Sequence, residues 1–209
     1  MQSPDTVYTL FKEKAELVSA IVADVKTPRD AFDYAVDLCD RKEACQLLIS
    51  GCDQSLTKKA ADLCDQKQQK TIAAPGLADS QITELNDLCT AKGLELVTSD
   101  LREHVAGIDI GFTFVDYGIA ETGTLVLDSS SEDLRLATMI SEVHVAVLPR
   151  SKLRQSAYDL EQELVGGMHS FPNYTAFITG ASRTADIERV LALGVHGPLE
   201  LHILLLEDA

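Results

Sequence analysis

Three short polar stretches carry the residue types from which a reactive or binding site could be built. Ala120-Glu121-Thr122-Gly123-Thr124 stands between two apolar runs, Ile108 to Ile119 and Leu125 to Leu127. A carboxylate among small hydroxyl residues suits neither a strand core nor an ordinary solvent loop. At a strand end, Glu121 could serve as general base or nucleophile, with the Thr122 and Thr124 hydroxyls as hydrogen-bonding groups. Gly123 would allow a sharp turn or the close approach of another molecule. The second stretch, Gly180-Ala181-Ser182-Arg183-Thr184-Ala185-Asp186-Ile187-Glu188, follows a strand-like segment ending at Thr179. If a helix starts there, its free amides attract an anion, and Arg183 can grip a phosphate or carboxylate in bidentate fashion. The same residues can equally be structural, with Ser182 or Thr184 as the cap and Arg183 paired to Glu188. The third stretch is Gly194-Val195-His196-Gly197-Pro198. His196 in a tight turn can carry a proton near neutral pH, or can lock the loop through a backbone hydrogen bond.

Other chemistry-bearing residues are less grouped. Arg135 sits among Leu134, Leu136 and Met139 and asks for an internal carboxylate, with Glu121 as the candidate. His144, followed by Val145-Ala146-Val147, reads as a core histidine. The histidines at 104, 144, 169, 196 and 202 have no metal-ligand spacing. Cys39, Cys45, Cys52, Cys64 and Cys89 form no C-x-x-C pair or ferredoxin-type run, and several fall on apolar stripes as small buried hydrophobes. Cys52, after Gly51, is the one candidate for reactivity. Neither a phosphate-binding G-x-x-x-x-G-K-[ST] loop nor a G-x-G-x-x-G dinucleotide fingerprint is present.

The elements that must position these groups follow from periodicity. Val7 to Val25 repeats apolar residues at helical spacing, and Thr27-Pro28 starts a second helix reaching about Arg41. With no strand read between them, residues 1–41 form an N-terminal helical appendage and 42–209 an α/β domain. Within the latter, strands are expected at 45–50, 70–74, 94–98, 143–148, 176–179 and 201–206. Helices are expected at 54–68, 79–92, 129–139, 155–164 and 185–193. Strands separated by helical stretches imply a mostly parallel sheet covered on both faces, broken at 108–127 by a hairpin or bent antiparallel insert.

The net charge of −15 is concentrated in the later part of the chain. Residues 1–75 carry 10 Lys and Arg against 12 Asp and Glu, whereas 76–209 carry 8 against 21. No basic patch of the kind nucleic acid requires is visible, so the charge reads as solubility or as a face for a basic protein partner. No secretory pattern opens the chain and no apolar run is long enough to span a bilayer, so a cytoplasmic protein is expected.

Taken in order and spacing, A-E-T-G-T at 120–124, G-A-S-R-T-A-D-I-E at 180–188 and G-V-H-G-P at 194–198 resemble the LUD domain family. Within it they are most similar to the lactate utilization protein C group. Arg135 and Val143-His144-Val145-Ala146-Val147 fit the same pattern, and the resemblance covers about residues 40–207. One departure is Ala181, where the family usually has proline. The resemblance implies a three-layer α/β/α fold similar to the NagB/RpiA/CoA-transferase-like superfamily. It also implies a subunit that helps oxidise L-lactate to pyruvate beside iron–sulfur and cysteine-rich partner proteins, with no cofactor in this chain itself. On that reading Glu121 and His196 are catalytic, and Thr122, Gly123, Thr124, Arg135, Gly180, Ser182, Arg183, Thr184 and Gly197 bind a small anionic ligand. A non-catalytic assembly subunit and a stand-alone acyl or sugar-phosphate enzyme are the alternatives.

Overall fold

The computed structural model describes residues 3–42, 69–104, 107–167, 174–185, 191–193 and 197–208. The strand expected at 45–50, the helix expected at 54–68, and Cys45, Cys52, Cys64, Gly194, Val195 and His196 lie outside the described residues.

The chain enters through helix α1 (Pro4–Leu17), whose Ser3 cap accepts from Thr6 N and whose first turn holds Pro4. The apolar spacing of three and four continues to Val25, but the helix does not. Ser19 takes φ 64°, a left-handed conformation that stops helical propagation. Ala20–Val25 then forms strand β1, paired in parallel with a strand near the chain's end. This corrects the expectation of one helix over Val7 to Val25. The β-branched Ile21, Val22 and Val25 fit a strand as well as a helix, and pairing decides between them. Residues 4–41 therefore contribute an edge strand to the main sheet as well as two helices. Helix α2 (Pro28–Arg41) begins as expected, with Thr27 and Asp30 forming a reciprocal capping box.

The remaining strands are β2 (Thr71–Ala73), β3 (Glu95–Val97), β4 (Ile108–Phe114), β5 (Tyr117–Ile119), β6 (Thr124–Asp128), β7 (Ser141–Pro149), β8 (Leu153–Arg154), β9 (Thr175–Ile178), β10 (Arg183–Ala185), β11 (Leu191–Leu193) and β12 (Glu200–Leu206). Helices α3 (Asp79–Ala91), α4 (Glu132–Met139) and α5 (Glu161–Gly167) complete the framework. The central sheet is parallel throughout, in the order β1-β12-β7-β4-β2-β3. A second, four-stranded sheet has the order β8-β5-β6-β9 and contains the hairpin expected within 108–127.

Alternation along β7 and β12 separates the two faces of the central sheet. Val143, Val145, Val147 and Leu204 pack with Phe32, Val36, Leu85 and Cys89 of α2 and α3. Ala146, Leu148, Leu201, Ile203 and Leu205 pack with Phe11 and Ala15 of α1 and Leu125 and Leu127 of the second sheet. The result is a three-layer α/β/α arrangement whose second outer layer includes the small sheet. The expected buried strand at 176–179 is instead β9, a half-exposed edge of that sheet, with Phe177 52% exposed.

His144 is buried in β7, its Nε2 2.8 Å from Thr113 Oγ1. Burial pushes its pKa down to about 4. The unfolded chain therefore takes up a proton between about pH 6.5 and 4 that the native chain refuses, so stability falls with acidification across that window. His144→Gln is expected to flatten this acid limb, as read from denaturant midpoints at pH 4.5 and 7.

Candidate functional site

The Glu121 motif is the turn that joins β5 to β6. Ile119 pairs with Thr124, leaving Ala120-Glu121-Thr122-Gly123 to reverse the chain, with Gly123 at φ 65°. That geometry is natural only to glycine, and a second constraint coincides with it. A Cβ at Gly123 would lie 2.4 Å from Ala15 N, so the turn rests directly on the backbone of α1. Glu121 is exposed and is held at two points. Its amide donates to Gln155 O at 3.0 Å, and its Oε1 accepts from Ala157 N at 3.3 Å. Ala157 is also one of the residues, with Tyr158, Glu161, Leu164 and Val165, that line a cavity of about 350 Å³.

The three polar stretches are linked in series. Thr122 Oγ1 lies 2.7 Å from Thr124 Oγ1, which lies 2.8 Å from Thr179 Oγ1, joining the first stretch to the residue that leads into the second. Gly180 follows at φ 75°, and a Cβ there would lie 2.3 Å from Val18 O. Ser182 N then donates to Pro198 O at 3.0 Å, and a Cβ at Gly197 would lie 3.3 Å from Ser182 Cβ. Leu199 N donates to Glu142 O at 2.8 Å, fixing the third stretch to β7. Val18, Glu142 and Pro198 all lie at or before the starts of their strands, so the group gathers at the amino edge of the parallel sheet. The seat shared by Gly123 and Gly180 is the last turn of α1 and the residue following it. Nothing in the periodicity of α1 marked this role; the spacing showed only a buried stripe.

Two expectations need correction here. The helix expected near 185–193 is not formed by its described flanks, because Arg183–Ala185 pairs antiparallel with Leu191–Leu193. Ser182 and Arg183 thus precede and enter a strand, and the argument from helix-terminal amides does not apply to them. Arg183 is exposed, while the side chain of Thr184 is outside the described residues. Arg135 does not meet Glu121. Its Nη1 donates to Ser129 O and Ser130 O at 2.7 and 2.9 Å, and its guanidinium lies 4.8 Å from the Tyr174 ring centroid. Backbone carbonyls and an aromatic face satisfy this cation, and it ties the start of α4 to the start of β9. Among the described residues, no ion pair joins Glu121 to Arg135 or Arg183.

One buried charged group escaped sequence reasoning. Lys42 Nζ contacts Glu142 Oε2 and lies 3.0 Å from Asp109 Oδ1, and Asp109 Oδ2 accepts from Thr71 N at 2.8 Å. All three side chains are nearly inaccessible. Asp109 and Glu142 each stand second in an apolar strand, and that conflict with the pattern was the available signal. Cys39 and Cys89 are buried, and burial pushes their thiols up to about 12 and 11, leaving them protonated and inert. Among the described residues, no group of three or more His, Cys, Asp or Glu is placed to hold a metal ion. Among them, too, no helix is long and apolar enough to cross a membrane.

A parallel three-layer domain with hydroxyl, carboxylate and glycine turns gathered at one sheet edge defines the class, and the comparisons give the family. The LUD domain model matches residues 8–206, so the chain belongs to the LUD domain family. A protein named Lactate utilization protein C from Halalkalibacterium halodurans is 36% identical over 111 residues, covering 52% of this chain and 48% of that protein. Its namesake from Bacillus subtilis is 34% identical over 104 residues, covering 48% and 43%. An uncharacterized protein from Neisseria meningitidis serogroup B is 40% identical over 105 residues, covering 49% and 44%. The chain thus spans about half the length of the curated relatives it matches. A crystal structure of a DUF162 family protein from Deinococcus radiodurans shares the fold, with a TM-score of 0.59, 15% identity and 99% coverage of both chains.

Proposed function

We propose that this chain is a ligand-binding subunit of a lactate-utilization system in which Glu121 takes part in the chemistry. The observation that carries the reading is the state of Glu121. Its residue is exposed, and its carboxylate is held by the backbone amide of Ala157, a residue that lines a cavity, rather than neutralised by an arginine. The names of the matched relatives support lactate utilization as the setting.

Converting L-lactate to pyruvate releases two electrons and two protons. Iron–sulfur clusters in partner proteins would take the electrons, since this chain has no cluster-binding cysteine run. Glu121 would accept a proton as general base, and His196 would relay it onward. Arg183, with Ser182 and Thr184, would hold the anionic ligand.

Glu121→Gln keeps the size and one acceptor oxygen while removing the charge. In a complex reconstituted with its iron–sulfur partners, it is expected to lower lactate-dependent turnover on the order of 100-fold or more with the melting temperature nearly unchanged. Normal turnover would reassign the motif to assembly.

A further inference from the structure

The outer face of the small sheet is only partly covered. In register, Tyr117 stands opposite Val126 and Val126 opposite Phe177, so the three share that face. Leu125, Leu127 and Ile178 take the other, against the central sheet. Leu160 and Leu164, from the 3₁₀ turn Ala157–Leu160 and from α5, close over Ile119 and Val126. At the β9 edge Phe177 is left 52% exposed. The same helical stretch leaves Val165 49% and Tyr158 86% exposed, around the cavity they line with Leu164. Apolar surface therefore runs from Phe177 through Val126 and Leu164 to Val165 and Tyr158. Rings as bare as these add nothing to the core, and contiguous apolar surface of this kind marks a place of interaction.

The charge carried by the segments that build this surface has one sign. Residues 116–128 hold Asp116, Glu121 and Asp128, residues 157–167 hold Asp159, Glu161 and Glu163, and neither stretch has a Lys, Arg or His. Among the described residues, none of these carboxylates is in an ion pair. Lys152 and Arg154 lie at the opposite, β8 edge, over the Tyr117 ring at 5.4 and 5.3 Å from its centroid. A second copy would bring the same carboxylates into an isologous contact, and an anionic membrane surface would repel them. A basic protein gains attraction where both of these meet repulsion.

We propose that this face docks a partner protein through a basic amphipathic helix. The helix lays its aliphatic side chains over Phe177, Val165 and Tyr158, and its flanking Lys and Arg meet Glu161 and the neighbouring carboxylates. Thr124, opposite Ile119, belongs to the same face and begins the hydroxyl string to Thr179, so the docked helix borders the Glu121 turn. The surface goes beyond the function proposed above and stands whether or not Glu121 reacts.

The full chain is titrated, by fluorescence anisotropy, against a labelled helical peptide with leucines at spacings of three and four among lysines. Two controls accompany it: the same pattern with glutamates for lysines, and the lysine peptide in scrambled order. The patterned lysine peptide is expected to bind tenfold or more tightly than either control, with affinity falling as salt is added. Joint replacement Tyr158→Ser and Phe177→Ser should weaken it at least tenfold at unchanged melting temperature, because both side chains are exposed. Glu161→Lys should weaken the lysine peptide and strengthen the glutamate one. No lactate enters the titration, so the result is read apart from the turnover of Glu121→Gln. Equal binding of the scrambled peptide, wild-type affinity in the double variant, or no binding at all would each overturn the proposal. A dimer in sedimentation, or adhesion to anionic lipid vesicles, that the double variant abolishes would overturn it in favour of a second copy or a membrane.

Discussion

Lys42→Met is expected to cost about 3–5 kcal/mol of stability and to lower the melting temperature by roughly 10 °C. The substitution takes the lysine contact away from two buried carboxylates, Asp109 and Glu142, and sets an apolar side chain beside them, so most of the penalty is their uncompensated burial more than a lost attraction. Simultaneous replacement of all three residues by apolar ones of similar volume should recover much of the loss, because the pair terms and the desolvation terms then vanish together. The alkaline limb gives a second readout. Burial alone would lower the pKa of Lys42, but its bonds to Glu142 and Asp109 raise it above the usual 10.5. Its contribution is therefore complete below that value and fades as pH climbs through the raised pKa. Wild-type protein should lose stability more steeply above pH 10.5 than Lys42→Met does. A single-variant cost below about 1 kcal/mol, the scale of an exposed ion pair, would show that water reaches the triad.

Gly123→Ala is the second large effect, at about 3 kcal/mol, or roughly 6–12 °C in melting temperature. Two penalties add. An alanine at φ 65° is strained, and its Cβ would intrude to 2.4 Å from Ala15 N, where a backbone atom cannot swing aside. Gly166→Ala in α5 is the matched control: nothing lies within 4 Å of its Cβ position, and alanine should leave stability unchanged or slightly improved. Equal melting temperatures for the two variants would mean that the β5–β6 turn does not rest on α1.

The sequence showed the parts of this fold that local chemistry specifies. Thr27 and Pro28 announced α2, and the apolar runs of β7 and β12 announced buried parallel strands. It misled where partners far along the chain decide. Ile21 and Val22 satisfy both helical and strand periodicity, and only pairing with His202 and Ile203 selects the strand. Residues 182–184 read as a helix start because Ser182 and Thr184 suit a cap, yet the antiparallel pairing of 183–185 with 191–193 makes a strand there. The candidate site was legible as a set of motifs but not as a construction. The contact of Gly123 and Gly180 with the end of α1 depends on packing between segments more than a hundred residues apart, for which glycine alone is a faint signal.

That shared seat couples two properties otherwise treated separately. Among the described residues β1 pairs with β12 alone, across nearly the whole chain length, so its pairing is expected to form late in folding and to open early in local fluctuation. When β1 peels away with the end of α1, the support beneath the Glu121 turn and the Thr179-Gly180 corner leaves with it. Amide hydrogens of β1 should therefore exchange with solvent in step with those of the motif turns, as one cooperative unit. A ligand seated on the motifs would slow exchange at the far N-terminal edge without touching it.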